Sequence, residues 1–347
     1  MKKLLSVLTA SAMALSLAAC GASASTAPAS SAASSEAAST EAVSSETAPA
    51  ETYNIAIVQQ LDHASLDEIR TAVEAELEAR AAADGFQVKY TEYNGQNDAS
   101  TLNQIGTQVS DGGFDLVIPI ATLAAQTMVT ATEGTDMPVV YAAISDPEAA
   151  GLTDLSLVTG TSDALNTPFI LDMMLAVDPK IKTVGLLYSN SEANSATPIA
   201  EAKAYLEEKG IAYVEKTGNT TDEILSATAA LTDQVDAVFT PTDNVVMAAA
   251  AAVAEQLTEA GVPFYTGADS FVNEGAFTTC GVNYTELGTY TADMALDILT
   301  TGIVPEFHVM DGGIITVNTE TAETLGIDYS VFKTMANTVV ETGTVTG

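Results

Sequence analysis

Residues 183–195 read TVGLLYSNSEANS, in which a short apolar run passes directly into a polar loop. The apolar part, Thr183 to Tyr188, predicts a buried β-strand. A helical pattern continues to about Glu208, Lys209-Gly210 ends it, and a further strand begins at Ala212. A strand, a loop, a helix and a second strand in this order form a βαβ unit, which is typical of a parallel sheet.

The same order of elements occurs earlier in the chain. Asn54 to Val58 predicts a strand, and a helix follows from about Leu66 until Asp84-Gly85 ends it. This internal similarity predicts an α/β protein with two Rossmann-like lobes, each built on a parallel sheet. The alternative is that any two βαβ stretches look alike. Further corresponding segments are 114–119 and 137–141 in the first half, and 235–241 and 262–265 in the second.

A binding cleft is expected where these strands end. In open α/β sheets, ligands bind beyond the carboxyl ends of the strands, where loops and helix N-termini converge. If the two lobes face each other, their loops line one shared cleft. The candidate loops are those after Val58, Ile118, Ile144, Leu187, Phe239 and Gly267.

Composition excludes several classes of partner. The chain has 347 residues, 47% of them apolar, with 11 basic against 46 acidic residues and a net charge of −35. It is long enough to bury a sizeable core, but it lacks the basic surface that nucleic acid or anionic lipid headgroups require. Arginine occurs only at Arg70 and Arg80, so an arginine clamp on a ligand carboxylate is not expected in the candidate loops.

The first 51 residues indicate export and not a folded lobe. Lys2 and Lys3 precede an apolar run of 16 residues from Leu4 to Ala19, which is typical of a signal peptide over residues 1–19. The segment LAACG around Cys20 resembles the lipobox of bacterial lipoproteins, which implies a lipidated Cys20 that anchors the protein to the outer face of the cytoplasmic membrane. An ordinary signal with a chance cysteine is the alternative. Residues 20–51 are rich in Ala, Ser, Thr and Glu and predict a disordered tether.

Residues for catalysis are scarce. The only histidines are His63 and His308, and no HExxH, GxSxG, GxxxxGK[ST] or GxGxxG pattern occurs. Cys280 lies in an apolar run and is expected to be a buried, unreactive thiol. The sequence therefore predicts a protein that is not an enzyme, with no metal and no cofactor.

Six motifs in order along the chain carry a resemblance to a known family. Together they resemble the substrate-binding lipoproteins of ABC transporters related to the tryptophan-binding TrpX type. The resemblance covers about residues 53–329. The motifs are NGQND (94–98), ATLAAQ (121–126), SDP (145–147), VTGTSD (158–163), SEANS (191–195) and TDN (242–244).

The resemblance implies a type I periplasmic-binding-protein fold with a multi-crossing hinge. It implies an N-terminal lobe of residues 52–160 plus about 283–307, and a C-terminal lobe of residues 161–282 plus about 308–347. Hinge segments are expected near 159–166 and 280–285. It further implies an amino-acid ligand, most often an aromatic one, a membrane permease as partner, and a monomer.

Twelve residues are candidates for contact with such a ligand. Hydroxyls and peptide N–H groups at helix starts would bind a carboxylate, whereas Asp and Asn side chains would accept from an ammonium group. Each Asp or Asn could instead cap a helix or close a turn. Aromatic stacking partners are sought among Tyr141, Tyr188, Tyr265 and Phe271, which are more often core residues. The candidates are His63, Thr122, Ala125, Gln126, Asp146, Tyr188, Asn194, Ser195, Thr242, Asp243, Asn244 and Asp269.

These features predict a receptor that closes two lobes on a small solute and delivers it to a permease. A sensor or adhesion lipoprotein that uses the same fold is the alternative. A nucleoside, a sugar or another metabolite is also compatible with the composition. A transcriptional regulator of similar fold is disfavoured by the signal peptide and by the lack of a basic helix-turn-helix segment.

Overall fold

A computed structural model describes residues 51–345 of the chain. The predicted signal peptide, Cys20 and most of the predicted tether lie outside the described residues. The strands are β1 Thr52–Gln59, β2 Gln87–Asn94, β3 Leu116–Ile120, β4 Val139–Tyr141, β5 Val158–Ser162, β6 Thr183–Tyr188, β7 Ala212–Thr217, β8 Ala237–Thr240, β9 Phe264–Thr266, β10 Thr278–Gly281, β11 His308–Val309, β12 Ile314–Asn318 and β13 Thr338–Thr342.

Helices alternate with the strands as the sequence predicts. The α-helices are α1 Ala64–Asp84, α2 Ala99–Asp111, α3 Thr122–Ala131, α4 Thr167–Val177, α5 Ala196–Lys209, α6 Thr221–Ala229, α7 Asn244–Met247, α8 Ala250–Glu259, α9 Asp269–Asn273, α10 Tyr284–Thr301, α11 Thr319–Leu325 and α12 Phe332–Met335. A short 3-10 helix spans Ala193–Ser195. None of the helices within residues 51–345 combines the length and the apolar character that a membrane span needs.

Two sheets organise the described chain. The first has the strand order β11-β5-β4-β3-β1-β2, and the second has the order β13-β12-β10-β9-β8-β6-β7. The pairings are parallel throughout, with the one exception of β10 against β12. The predicted fold class, an α/β protein with two parallel-dominated sheets, is confirmed.

Alternation along β1 explains why helices cover both faces of the first sheet. Ile55 and Ile57 pack in one apolar cluster with residues of α1 and α10. Ala56 and Val58 point to the other face and pack with α2 and α3. Successive side chains of a strand point to opposite faces, so a strand that is apolar throughout needs cover on both sides.

The predicted helix stops are also confirmed. Gly85 after α1 and Gly210 after α5 adopt φ values of 82° and 69°, the left-handed conformation that glycine adopts without steric cost. Cys280 is buried in the core of the second sheet, with 4% of its surface exposed. Burial raises the pKa of its thiol to about 11.

The chain passes between the two sheets three times, through residues 163–166, 282–283 and 310–313. At two places the first sheet extends two residues past the predicted boundary of the N-terminal lobe. Residues 161–162 and 308–309 belong to strands of the first sheet, because β11 lies alongside β5 and pairs His308 with Thr161.

The last long helix returns to the first sheet. Helix α10 packs along α1, and Gly288 lies where the two helices approach most closely. A Cβ atom at Gly288 would stand 2.6 Å from the carbonyl oxygen of Ile69 and 2.7 Å from Cβ of Ala72. Arg80 of α1 adds ion pairs to Asp293 and Asp297 of α10. Contacts between segments over 200 residues apart therefore complete this lobe.

Gly288→Ala tests this close approach. Alanine favours a helix by about 1 kcal/mol over glycine, yet the added methyl group must push the helices apart. We expect a net loss of about 1–3 kcal/mol in the free energy of unfolding, the usual cost of overpacking, measured by urea denaturation. Gly312→Ala is the control, because a Cβ atom there meets nothing closer than 3.8 Å. Equal stability of the two variants would contradict the tight packing.

Candidate functional site

A small cavity lies between the two sheets, where strands of both end. Its volume is about 20 Å³, which is room for one water molecule. The first sheet supplies residues after β1, β3 and β4, and the second supplies residues after β6, β8 and β9. It is lined by His63, Ser65, Leu66, Ala121, Thr122, Ala143, Ser145, Asp163, Asn194, Thr242, Asp243, Asn244, Met247, Ala268, Phe271 and Tyr284.

Direct hydrogen bonds across the cavity join the loop after β1 to the second sheet. Gln60 Nε2 donates to Glu192 Oε1 at 3.0 Å. Asn244 Nδ2 donates to Glu192 Oε2 at 2.6 Å, and Asn244 Oδ1 lies 3.0 Å from His63 Nε2. Farther along the wall, the Ser145 hydroxyl lies 2.9 Å from that of Thr242. These bonds form one buried polar network that both lobes contribute to.

The network assigns the proton on His63. An ionised Glu192 only accepts, so in that state it holds the amide of Asn244 with its Oδ1 toward the imidazole, and Nε2 of His63 then carries the hydrogen. Nδ1 of His63 is buried without a hydrogen-bond partner among the described residues. Burial lowers the pKa of His63, with the bond to Asn244 acting in the opposite direction. The imidazole is therefore neutral near pH 7.

Asp243 is a structural anchor. Oδ1 accepts from the N–H groups of Val245 and Val246 and caps α7. Oδ2 accepts from Ser189 N and from the Ser195 hydroxyl, both at 2.7 Å. Two bonds to each oxygen use the four acceptor positions of the carboxylate. Its pKa is raised by burial, which these bonds oppose.

Glu192 is the second buried acid of the network. Burial first, and the nearby Asp243 second, raise the pKa of Glu192 to about 7. The hydrogen bonds from Asn244 and Gln60 act against this shift. No lysine or arginine lines the cavity, and both arginines lie on α1 with acidic partners. Within residues 51–345, no cluster of His, Cys, Asp and Glu side chains could hold a metal ion.

Two alanines in the wall have unusual backbone conformations. Ala121, before α3, has a φ of 75°, and Ala143, after β4, has a φ of 58°. A residue with a Cβ atom pays for positive φ, and such strain is concentrated at ligand-binding positions. Both residues lie at the carboxyl ends of central strands, where backbone approaches the cavity.

Half of the predicted ligand residues line the cavity, and the other half do not. Those in the wall are His63, Thr122, Asn194, Thr242, Asp243 and Asn244. The Ser195 hydroxyl donates to Asp243, and Ala125 is buried in an apolar cluster with Tyr141. Gln126 donates to the carbonyl of Ala150, and the Tyr188 hydroxyl donates to Glu215. Asp146 accepts from Thr197 of the facing lobe. Their roles as ligand contacts stay predictions.

Several residues of the polar network and of the cavity wall were missing from the prediction. Gln60 and Glu192 follow β1 and β6. The rule that ligands bind in the loops after the strands indicated their segments, but it did not indicate these two residues. Asp163 and Tyr284 lie in the segments 159–166 and 280–285, which the sequence predicted as hinges but not as part of the cavity wall. Of the four aromatic candidates, Phe271 lines the cavity, whereas Tyr141 and Tyr265 are fully buried in the cores.

Asp269, the last predicted residue, carries a buried oxygen with no partner among the described residues, Oδ1. Burial first, and the nearby Glu68 second, raise its pKa from 3.8 to about 6. The folded protein therefore holds this proton more tightly than the unfolded chain does. Stability from this group is present below pH 3.8 and is lost as the pH rises through about 6.

Asp269→Asn removes this charge. We expect the variant to gain about 1–3 kcal/mol in the free energy of unfolding at pH 7.5 and to match the unmodified protein near pH 4. Urea denaturation between pH 4 and 8 measures the difference. Asp222→Asn is the control, because Asp222 also lies in the first turn of a helix but is exposed. A gain that does not depend on pH would contradict this account.

Comparisons with known proteins agree with this architecture. The chain is 31% identical over 280 residues to a tyrosine-binding protein of Clostridioides difficile, covering 78% of this chain and 80% of that protein. An ABC domain from Streptococcus pneumoniae, solved with L-Trp, is 32% identical and superposes with a TM-score of 0.77, covering 84% of this chain and 100% of that one.

A third relative allows the lobe arrangement to be compared. The ligand-free, open structure of a substrate-binding protein with adhesive properties from Clostridium difficile is 30% identical. It covers 84% of this chain and 100% of its own, with a TM-score of 0.64. At similar identity, the described chain thus superposes better on the L-Trp complex. The sequence profile of the family described as ABC transporter substrate binding protein matches residues 54–338, and the chain belongs to that family.

Proposed function

We propose that the protein is an extracytoplasmic receptor that binds an amino acid in the cavity between its two lobes for an ABC importer. The observation that carries this proposal is the buried network in which Gln60 and His63 of one lobe meet Glu192 and Asn244 of the other. A network that both lobes must complete favours a protein that closes around its solute.

The wall favours a solute with one polar and one apolar end. Leu66, Met247 and Phe271 line the cavity together with its acidic and amide groups. Aromatic and other hydrophobic amino acids have this form. Relatives at 31% and 32% identity that are described with tyrosine and L-Trp support this class for the present chain.

The cavity of about 20 Å³ has room for about one water molecule, so the lobes would separate to admit an amino acid. Residues 163–166, 282–283 and 310–313 are the crossings about which they would move. Export, lipidation of Cys20, delivery to a permease, a monomeric state and the absence of catalysis belong to the same proposal. They are supported by the N-terminal sequence and by the family.

Adhesion or sensing is the second candidate function. The 30% identical relative supports it, because that substrate-binding protein is described as having adhesive properties. The two functions differ in what they require of the cavity, because adhesion does not depend on a solute. Binding of a small solute would therefore support the receptor function, and its absence would leave adhesion or sensing.

Thermal unfolding of residues 21–347 tests the solute class. The panel contains the twenty amino acids, with nucleosides and sugars as further sets. A solute that binds only the folded protein adds about 2.7 kcal/mol of stability at a hundredfold excess over its dissociation constant. Stabilisation by tyrosine, tryptophan or phenylalanine alone would support the proposal. No stabilisation by any panel member would favour adhesion or sensing, and a nucleoside or sugar would replace the amino acid.

His63→Ala tests the site itself. The side chain forms no cap on α1, so its removal deletes the bond to Asn244 and part of the wall without unravelling the helix. We expect at least a tenfold loss of affinity for the stabilising solute by isothermal titration calorimetry, with about 1 kcal/mol of change in stability.

His308→Ala is the matched control, because His308 lies on β11, outside the cavity wall, and stacks on Tyr290. We expect this variant to bind the solute with unchanged affinity. Equal affinities of the two histidine variants would place the solute elsewhere.

A further inference from the structure

The donors of the cavity wall are largely occupied by the wall itself. The hydroxyls of Ser145 and Tyr284 donate to Asp163, and those of Ser65 and Ser270 bind each other. The Asn194 amide donates to the carbonyl of Thr242. At the start of α3, the N–H of Leu123 donates to Gln60 Oε1. Among the hydroxyls that line the cavity, only that of Thr122 makes no hydrogen bond to another described residue.

The atoms that remain are acceptors. In the wall, Nδ1 of His63 and Oδ1 of Asn194 are buried without hydrogen-bond partners in the described part of the chain. Asn194 is 7% exposed and lines the cavity. Its orientation is fixed, because the amide N–H must face the carbonyl of Thr242. A buried polar atom without a partner costs free energy that a donating ligand can recover.

Asp163 is the wall carboxylate with acceptor capacity to spare. It is 6% exposed and follows β5 in the first crossing between the sheets. One oxygen accepts from Ser145 at 2.9 Å, and the other accepts from Tyr284 at 3.0 Å. Apart from the N–H of Asp163 itself, no other group of the described chain binds this carboxylate, so it keeps room for a further donor, in contrast to Asp243, whose four positions are all used.

The charge of the wall, like its hydrogen bonding, favours a ligand that donates. Asp163 forms no ion pair among the described residues. Burial raises its pKa, with Ser145 and Tyr284 acting in the opposite direction. A cation brought in by a ligand would stabilise the charged form of this buried group, whereas a ligand carboxylate would meet an acidic wall with few free donors.

We propose that the cavity recognises its solute through a cationic amine held at Asp163, and that the carboxylate of an amino acid is dispensable. The solute class then includes primary amines, the decarboxylated counterparts of aromatic amino acids. This inference rests on the proposed function, because it assigns the solute to the same cavity. Asp163 lies between β5 of the first sheet and α10, so an amine bound there contacts the crossing segment about which the lobes move.

Three ligands that differ by one group test the dispensable carboxylate. Isothermal titration calorimetry at pH 7.5 compares L-tyrosine, tyramine and 3-(4-hydroxyphenyl)propionate, and in parallel L-tryptophan, tryptamine and indole-3-propionate. We expect the amine within tenfold of the amino acid and the deaminated acid at least a hundredfold weaker. An amine more than a hundredfold weaker than its amino acid, or a deaminated acid that binds equally well, would overturn the inference.

The same series separates this inference from the proposed function. Binding of the amino acids without the amines retains the proposed function and rejects the inference. Binding of the amines alone supports the inference and removes amino acids from the proposed function. If no member of either set binds, both are wrong for this class of solute.

Asp163→Asn tests the assigned residue. The asparagine keeps the size of the side chain and one acceptor oxygen but loses the charge. We expect at least a thirtyfold loss of affinity for the amine and the amino acid, with no loss for the deaminated acid, so that the selectivity ratio between amine and acid collapses. A purely structural role would weaken all three ligands alike and would contradict the assignment.

Asp222→Asn, on the exposed first turn of α6, is the control and should bind all ligands with unchanged affinity. Circular dichroism checks that each variant is folded. If Asp163→Asn does not fold, the ligand series on the unmodified protein decides the inference without it.

Discussion

Three carboxyl groups, those of Asp163, Glu192 and Asp243, are buried around one small cavity, and none of them pairs with a lysine or arginine in the described chain. Buried charge is costly unless hydrogen bonds or an opposite charge compensate it. Here the compensation comes from hydroxyls, amides and peptide N–H groups of both lobes. The arrangement of the lobes and the polarity of the cavity therefore depend on the same set of bonds.

Hydrogen bonds compensate the buried charge of the three acids to different degrees. This difference distinguishes an acid that supports the fold from one that is available to a ligand. Asp243 accepts four hydrogen bonds within its own lobe and holds the start of α7. Glu192 accepts one bond from each lobe and joins them. Asp163 accepts from two hydroxyls and has room for a further donor. Asp243, which the sequence offered as a ligand contact, is thus the acid most completely used by the fold.

The candidate site could be predicted only in part. The segments could be named, because polar loops after the strands of a parallel sheet meet at one edge, and His63, Asn194 and Asn244 came from them. The role of each residue, as a helix cap or as a ligand contact, could not be predicted. A helix N-cap and a ligand contact use the same residue types, so Asp243 carries both signatures in the sequence. Tyr188 ends β6 and Ala125 lies at the start of α3, yet the Tyr188 hydroxyl donates to Glu215 of β7 and Ala125 is buried in the core.

By itself, the sequence determined the alternation of strands and helices, their stops at Gly85 and Gly210, and the α/β class with two sheets. These features depend on periodicity and backbone preferences over a few residues. Only the tertiary structure decided which polar groups meet in the cavity. Gln60 and Glu192 are 132 residues apart, and Asp163 and Tyr284 are 121 apart. No local preference encodes such contacts, because they depend on how helices and crossings bring distant segments together.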